Sequence, residues 1–191
     1  MTKIGILASY NGSGFIALNE ACEQKILNAQ IAVVISNNSN ANCLTTAEQK
    51  NINNYCINSK LYPNENIDLK ILETFKEYGC DYIFCSGYMK KIDVCLTQAY
   101  KNKIVNSHPA LLPNFGGKGM YGRFVHEAVV KAKVDKTGVT IHFVNENYDE
   151  GEFIFQKEIH VSPTESVDSV ENRVKALELK AIIEAFRKLI N

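Results

Sequence analysis

The sequence predicts an α/β fold: a doubly wound, mainly parallel twisted sheet with helices on both faces and antiparallel strands late in the chain. Three observations lead to it. Short apolar runs alternate with helical patterns through the first half, at the spacing of βαβ units. The first of these runs is continuously apolar rather than alternating, as in strands covered on both faces. After Pro109 the pattern changes, and two strand-like runs follow one another joined by a polar loop.

In order, residues 3–8 read as a buried strand, followed by the turn Ser9-Tyr10-Asn11-Gly12-Ser13-Gly14 and a helix over about residues 15–24. A second strand, residues 31–35, ends in an Asn-rich turn at 36–42; a helix near 43–51 then leads to a short strand around 55–57. Ile71, Leu72, Phe75 and Tyr78 fall at helical spacing within residues 67–78, with Asn66 as N-cap and Gly79 as stop. Residues 82–85 and 104–106 read as two further strands. Beyond Pro109, residues 114–122 form a glycine-rich loop, residues 124–132 a short helix, and 139–144 and 153–161 two strands joined by 145–151. A terminal helix over 166–189 carries Val170, Val174, Leu177, Ala181, Ile182 and Ala185 on one side.

The 191 residues fit a single domain spanning 1–191, with 46% hydrophobic and 22% charged residues. Twenty-one basic residues balance twenty-one acidic ones. Such a chain has no general field for nucleic acid or an anionic membrane, so neither is an expected partner. The amino-terminal apolar run is too short for a secretory signal and no later run approaches a membrane span, so a cytoplasmic protein is expected. The six cysteines form no C-x-x-C pair, and with the histidines they show no zinc-ligand spacing. They are expected to be reduced thiols in or near the core, and no metal is expected.

Three places carry residues suited to chemistry. The turn with Gly12, Ser13 and Gly14 follows the first strand and opens a helix, where backbone N–H groups and the helix dipole suit an anion such as phosphate. It is neither G-x-G-x-x-G nor a P-loop, so a dinucleotide or nucleoside triphosphate is not indicated; a tight turn without ligand is the plainer alternative. Asn106 and His108 lie two apart at a strand end and so share a face. An amide donor beside an imidazole suits a reaction that places negative charge on a carbonyl oxygen and moves a proton near neutral pH. A hydrogen-bonded structural histidine would account for the same residues. Asp149, on the loop between the late strands, gains a role only where the fold brings it to His108; there it would orient the ring and favour its protonated form.

Together these places resemble the folate-dependent phosphoribosylglycinamide formyltransferases. The resemblance rests on Asn11-Gly12-Ser13, Ile35-Ser36-Asn37, Ser86-Gly87-Tyr88-Met89 and Asn106-Ser107-His108-Pro109-Ala110-Leu111-Leu112-Pro113. It continues through the glycine-rich stretch Gly116 to Gly122, His126-Glu127-Ala128, and Gly138 through His142-Phe143-Val144 to Asp149-Glu150-Gly151. It implies a Rossmann-like formyltransferase fold and transfer of a formyl group from 10-formyltetrahydrofolate, a consumed cosubstrate, to the amine of glycinamide ribonucleotide in purine biosynthesis. It further implies that Asn106, His108 and Asp149 are catalytic, that Gly12, Ser13 and Gly14 hold the substrate phosphate, and that Glu178 accepts the ribose hydroxyls. Met89, Lys90, Lys91 and Ile92, with Asn145, Glu146, Asn147 and Tyr148, would line the pterin pocket. Five positions depart from the pattern: Gly14 stands where many members have Asn, and Lys90-Lys91 replaces Arg followed by an apolar residue. Ser107 is commonly apolar, and Asn64 sits near an Arg of some relatives.

Other enzymes on the same domain use a different acceptor, a sugar amine or water, and some carry an additional regulatory domain or barrel that a 191-residue single-domain chain is expected to lack. A non-enzymatic phosphate-binding module would explain the Gly12 turn but not Asn106, His108 and Asp149 together. The partners expected are small molecules, and the chain is expected to be a monomer or homodimer.

Overall fold

A computed structural model of the chain describes residues 1–190. These residues divide into two compact units, 1–105 with 190, and 106–189. The first unit contains β1 (Thr2–Ala8), α1 (Ser13–Glu23), β2 (Ala29–Ser36), α2 (Asn42–Gln49), β3 (Asn53–Cys56), α3 (Ile67–Glu77), β4 (Tyr82–Cys85) and α4 (Val94–Ala99). β5 (Ile104–His108) follows, and then α5 (Arg123–Lys131), β6 (Lys136–Phe143), β7 (Phe153–His160) and α6 (Val167–Ile190). The seven strands form one mixed sheet in the order β3-β2-β1-β4-β5-β6-β7.

In the first unit β1 runs parallel to both β2 and β4, so that Ile6 lies opposite Val34 on one side and Phe84 on the other. Ile4, Ile6, Leu7, Val33, Val34 and Ile35 are fully buried, which explains why these strands read as unbroken apolar runs. The chain winds outward from β1 through β2 to β3 and then returns to β4 on the far side of β1. The carboxyl end of β1 is therefore a point where the winding reverses, a position at which open α/β sheets open a crevice. α3 buries Ile71, Leu72 and Phe75, and its Asn66 cap accepts the Leu69 N–H at 3.0 Å. Capping of this kind stabilises a helix by about 1 kcal/mol.

The second unit ends the sheet differently. β6 and β7 pair antiparallel, with Thr140 opposite Gln156 and Ile141 opposite Phe155. β7 has no fully buried residue, as befits an edge strand. α6 buries Val170, Val174, Ala181, Ile182, Ala185 and Phe186, while Leu177 is only half-buried.

Several element bounds differ from the sequence expectation, and β6 begins at Lys136 rather than at 139. β3 begins at Asn53 rather than near residue 55. β5 continues to His108, because Pro109 ends the strand only after its own predecessor is extended. α4, six residues capped by the Asp93 carboxylate on the Cys95 N–H (2.9 Å), has no counterpart in the sequence reading. Its single turn and a half is too short to build a hydrophobic period.

All six cysteines are free, with Cys43, Cys80 and Cys85 buried. Burial pushes the Cys80 and Cys85 thiols up to about 12, so neither is a nucleophile at neutral pH. Among the described residues no helix is long and apolar enough to cross a membrane.

Candidate functional site

Within the first unit, the loops leaving β1, β2 and β4 are tied together. Ser9, just past β1, donates its hydroxyl to Asn37 Oδ1 (2.6 Å) and accepts the Met89 backbone N–H (2.8 Å). Ser86 Oγ, just past β4, accepts the Phe15 N–H of the first turn of α1 (2.9 Å). Gly12 caps that helix in the left-handed region, at φ 65 and ψ 42, a conformation that costs other residues about 1–2 kcal/mol. A Cβ there would also stand 3.0 Å from the Cys43 Cβ. Gly12 itself brings no side-chain cap to α1, and the N–H groups of Ser13 and Gly14 have no partner inside the helix by its geometry. Backbone N–H groups so placed can attract an anion. In the same unit, Met89, Lys90 and Lys91 are exposed and Ile92 is half-buried, in the segment between β4 and α4.

In the second unit, β5 sets Asn106 and His108 on one face and Ser107 on the other. His108 is 3% exposed. Its Nε2 lies 2.8 Å from the Phe115 carbonyl oxygen, and because a carbonyl only accepts, Nε2 carries a proton. Its Nδ1 faces Asp149 Oδ2 at 3.5 Å. Both contacts are favourable at once only for the imidazolium. Burial acts the other way and wins: desolvation, with help from His142, holds the ring below the ordinary histidine value despite Asp149 and Phe115. The expectation that Asp149 favours the protonated ring describes the pairwise effect, whereas the resting balance is set by desolvation.

Asp149 itself adopts φ 58, a left-handed conformation that Asp tolerates better than most residues. Burial raises its carboxyl, but His142, His108 and the Gly117 N–H (2.9 Å from Oδ2) together bring it below the ordinary value. Its position depends on Gly151, where any Cβ would collide with the Phe143 carbonyl oxygen. The bare backbone lets residues 144–152 fold back on β6, and the Phe143 N–H then reaches the Glu152 carbonyl at 2.9 Å. Exposed Asn145, Glu146, Asn147 and Tyr148 form the tip of this loop, stiffened by the Asn147 N–H on Asn145 Oδ1 (2.9 Å) and by the Asn147 amide on Glu150 (2.8 Å).

The structure thus brings Asn106, His108 and Asp149 into one cluster and adds a member that the sequence reading did not single out. His142, 2% exposed on β6, donates from Nδ1 to the Phe143 carbonyl (2.9 Å). Its Nε2 lies between the Asn106 amide nitrogen (3.3 Å) and Asp149 Oδ1 (3.5 Å). Thr140, two residues earlier on the same face, donates to the Ala110 carbonyl (2.7 Å) and accepts the Leu112 N–H (3.0 Å) and the Gln156 amide (2.8 Å). It fixes the segment that leaves His108. The signal for both residues was present, as two polar side chains at strand period inside an apolar run, but period alone does not say what they face.

On the opposite face of β5, Ser107 Oγ donates to Glu178 Oε1 of α6 at 2.6 Å. Burial raises the Glu178 carboxyl, with Ser107 and Lys175 acting against it. Among the described residues, no group of three or more His, Cys, Asp or Glu could hold a metal ion. The cluster in the second unit offers an amide N–H, an imidazole and a carboxylate in contact, a set that can steady a carbonyl oxygen as it gains charge and move a proton away.

Comparison with known proteins agrees with this fold. The family model for formyl transferases matches residues 2–186. The chain is 33% identical over 95% of its length to the chloroplastic phosphoribosylglycinamide formyltransferase of Arabidopsis thaliana, and spans 63% of that relative, less than two thirds of it. It is 31% identical over its full length to the phosphoribosylglycinamide formyltransferase of Bacillus subtilis, covering 95% of that protein. The crystal structure of glycinamide ribonucleotide transformylase 1 from Geobacillus kaustophilus superposes with a TM-score of 0.91 at 31% identity, each chain covering 100% of the other. The chain belongs to the formyl transferase family and, by these relatives, to the phosphoribosylglycinamide formyltransferases within it.

Proposed function

We propose that this chain transfers the formyl group of 10-formyltetrahydrofolate to the amine of glycinamide ribonucleotide, as a step of purine biosynthesis. The observation that carries the reading is the meeting of the Asp149 carboxylate with the buried His108 ring at 3.5 Å, in a chain whose relatives bear that enzyme's name. The acceptor amine attacks the formyl carbon, forming a C–N bond and a tetrahedral oxyanion. The Asn106 amide and the His108 ring, protonated at that stage, steady the oxyanion. Asp149 holds the imidazolium and, through water, takes up the proton the amine loses. The oxyanion then collapses to the new formamide as the bond from the formyl carbon to N10 of the folate breaks, N10 receives the proton back from Asp149 through water, and tetrahydrofolate leaves. A burial-depressed imidazole gains most from an adjacent anion when the oxyanion forms, which favours the transition state over the resting site.

In this reading Gly12, Ser13 and Gly14 hold the phosphate and Glu178 the ribose hydroxyls. Met89, Lys90, Lys91 and Ile92 with Asn145, Glu146, Asn147 and Tyr148 line the folate pocket. Residues 1–191 act as one formyl transferase domain, a view supported by a family match over residues 2–186. The chemistry requires no metal, and the protein works in the cytoplasm as a monomer or homodimer on small-molecule substrates. The test is absorbance-monitored turnover of 10-formyltetrahydrofolate with and without glycinamide ribonucleotide, with the product weighed by mass spectrometry. Acceptor-dependent turnover with formylated product is expected. Turnover that ignores the ribonucleotide would make the protein a hydrolase, and turnover only with a sugar amine would move it to another acceptor.

A further inference from the structure

We propose that Ser107 is a positioning residue for the acceptor substrate, holding the Glu178 carboxylate in place through the hydroxyl bond from β5 to α6. The inference rests on the assignment of Glu178 to the ribose. It goes beyond that assignment, because it concerns which atom of the chain aims the carboxylate.

The geometry is specific. Ser107 stands between Asn106 and His108 but points to the opposite face of β5, so it cannot join the cluster around Asp149. Its hydroxyl donates to Glu178 Oε1 at 2.6 Å, a short, charge-assisted bond. A glutamate on a helix has three rotatable side-chain torsions, and this bond is what restrains them. With Oε1 engaged, Oε2 is the oxygen left to accept ribose hydroxyls. The carboxylate is thereby tied to the same strand that carries Asn106 and His108, and a displacement of one is transmitted to the other.

The electrostatics point the same way. Glu178 is half-buried, and desolvation raises its carboxyl. Two groups oppose that: the Ser107 hydroxyl from β5 and the Lys175 ammonium from the same helix. Lys175 is itself held by Glu171 at 2.6 Å, which leaves Ser107 as the neutral donor in direct contact with the carboxylate. Without the hydroxyl, Glu178 would protonate at higher pH and lose both its charge and its fixed direction. A protonated acid turns an acceptor of ribose hydroxyls into a competing donor.

The experiment compares wild type, Ser107→Ala and Ser107→Thr in steady-state transfer from 10-formyltetrahydrofolate to glycinamide ribonucleotide, across pH. Alongside it, the Glu178 carboxyl is titrated by NMR in uniformly labelled protein, assigned with Glu178→Gln. In Ser107→Ala, the KM for the ribonucleotide should rise roughly tenfold, the size of one lost charge-assisted bond. The rise should grow as pH falls, while kcat and the KM for the folate stay within about twofold. The Glu178 titration should move up, and Ser107→Thr, which keeps the hydroxyl, should behave as wild type in both readouts. An unchanged ribonucleotide KM in Ser107→Ala, an unmoved Glu178 titration, or a Thr variant as impaired as the Ala variant would each overturn the proposal. Were Ser107→Ala not to fold, Ser107→Cys, nearly the same size but a far weaker donor, takes its place with the same outcomes expected. A wild-type protein with no acceptor-dependent transfer would instead defeat the functional reading, which the NMR titration does not depend on.

Discussion

The turn after β1 and the cluster on β5 and β6 are two polar regions built by opposite means. The first is made of backbone: Gly12 in a left-handed conformation, small residues after it, and a helix whose N-cap residue has no side chain to offer. The second is made of side chains held in place by other side chains and by loop backbone, with His108, His142 and Asp149 all within 3.5 Å of a neighbour in the set. A backbone site tolerates substitution wherever the main chain keeps its shape, and its strength comes from dipoles that cost nothing to orient. A side-chain cluster in a buried place is sensitive to each member, because burial makes every unpaired charge expensive. The first arrangement suits binding and the second suits chemistry.

The largest effect that would sharpen this contrast is on turnover. His108→Ala and Asp149→Asn are each expected to lower kcat by about 100- to 1,000-fold, the loss typical of one electrostatic donor at a developing oxyanion. Circular dichroism should show an unaltered fold. Near-normal kcat in either variant would break the assignment of chemistry to the second region. Stability comes next. Gly151→Ala forces a Cβ against the Phe143 carbonyl and should cost about 1–3 kcal/mol in denaturant unfolding, with a loss of kcat as Asp149 shifts. Gly12→Ala should cost about 1–2 kcal/mol for the left-handed residue, and raise the KM for the ribonucleotide several-fold at preserved kcat. If the two glycine variants changed KM and kcat in the same proportions, the division between a binding turn and a chemical cluster would fail.

The smallest expected effect is on the pH dependence of stability. Burial lowers the pKa of both His108 and His126 in the folded chain. The unfolded chain therefore takes up these protons first as pH falls. The contribution of the neutral rings is complete above about pH 6.5 and is lost as the medium becomes more acidic. Melting scans from about pH 7.5 down to 5 should show Tm falling by several degrees. His126→Gln should flatten that slope without reproducing the catalytic loss of His108→Ala. Among the described residues His126 Nδ1 has no hydrogen-bond partner, so an uncharged amide there removes a proton-binding group without breaking a hydrogen bond of that atom.

Much of the frame was legible in the order of residues. The continuous apolar runs of β1 and β2, the Asn66 cap and apolar spacing of α3, and the one-sided stripe on α6 each express a local rule about period or capping. α4 was not legible because six residues do not complete a period, and β5 ran two residues beyond its expected end because strand pairing persists until Pro109 stops it. In the site, Asn106 and His108 could be paired from their spacing on one strand. His142 could not be joined to them, and neither could the Phe115 carbonyl or the Gly117 N–H, since nothing in a linear pattern says which loop will close on which strand.

What the sequence alone determined is what depends on neighbours along the chain: the kinds and order of the elements other than α4, the faces of strands and helices, and the Gly12 turn where a helix opens. Tertiary structure decided what depends on neighbours in space. It brought Asp149 to the His108 ring, engaged Ser107 with Glu178, and set the protonation of His108 by burial against the pull of the carboxylate. Periodicity is a property of one segment, whereas contact and desolvation belong to segments that meet only after the chain has folded.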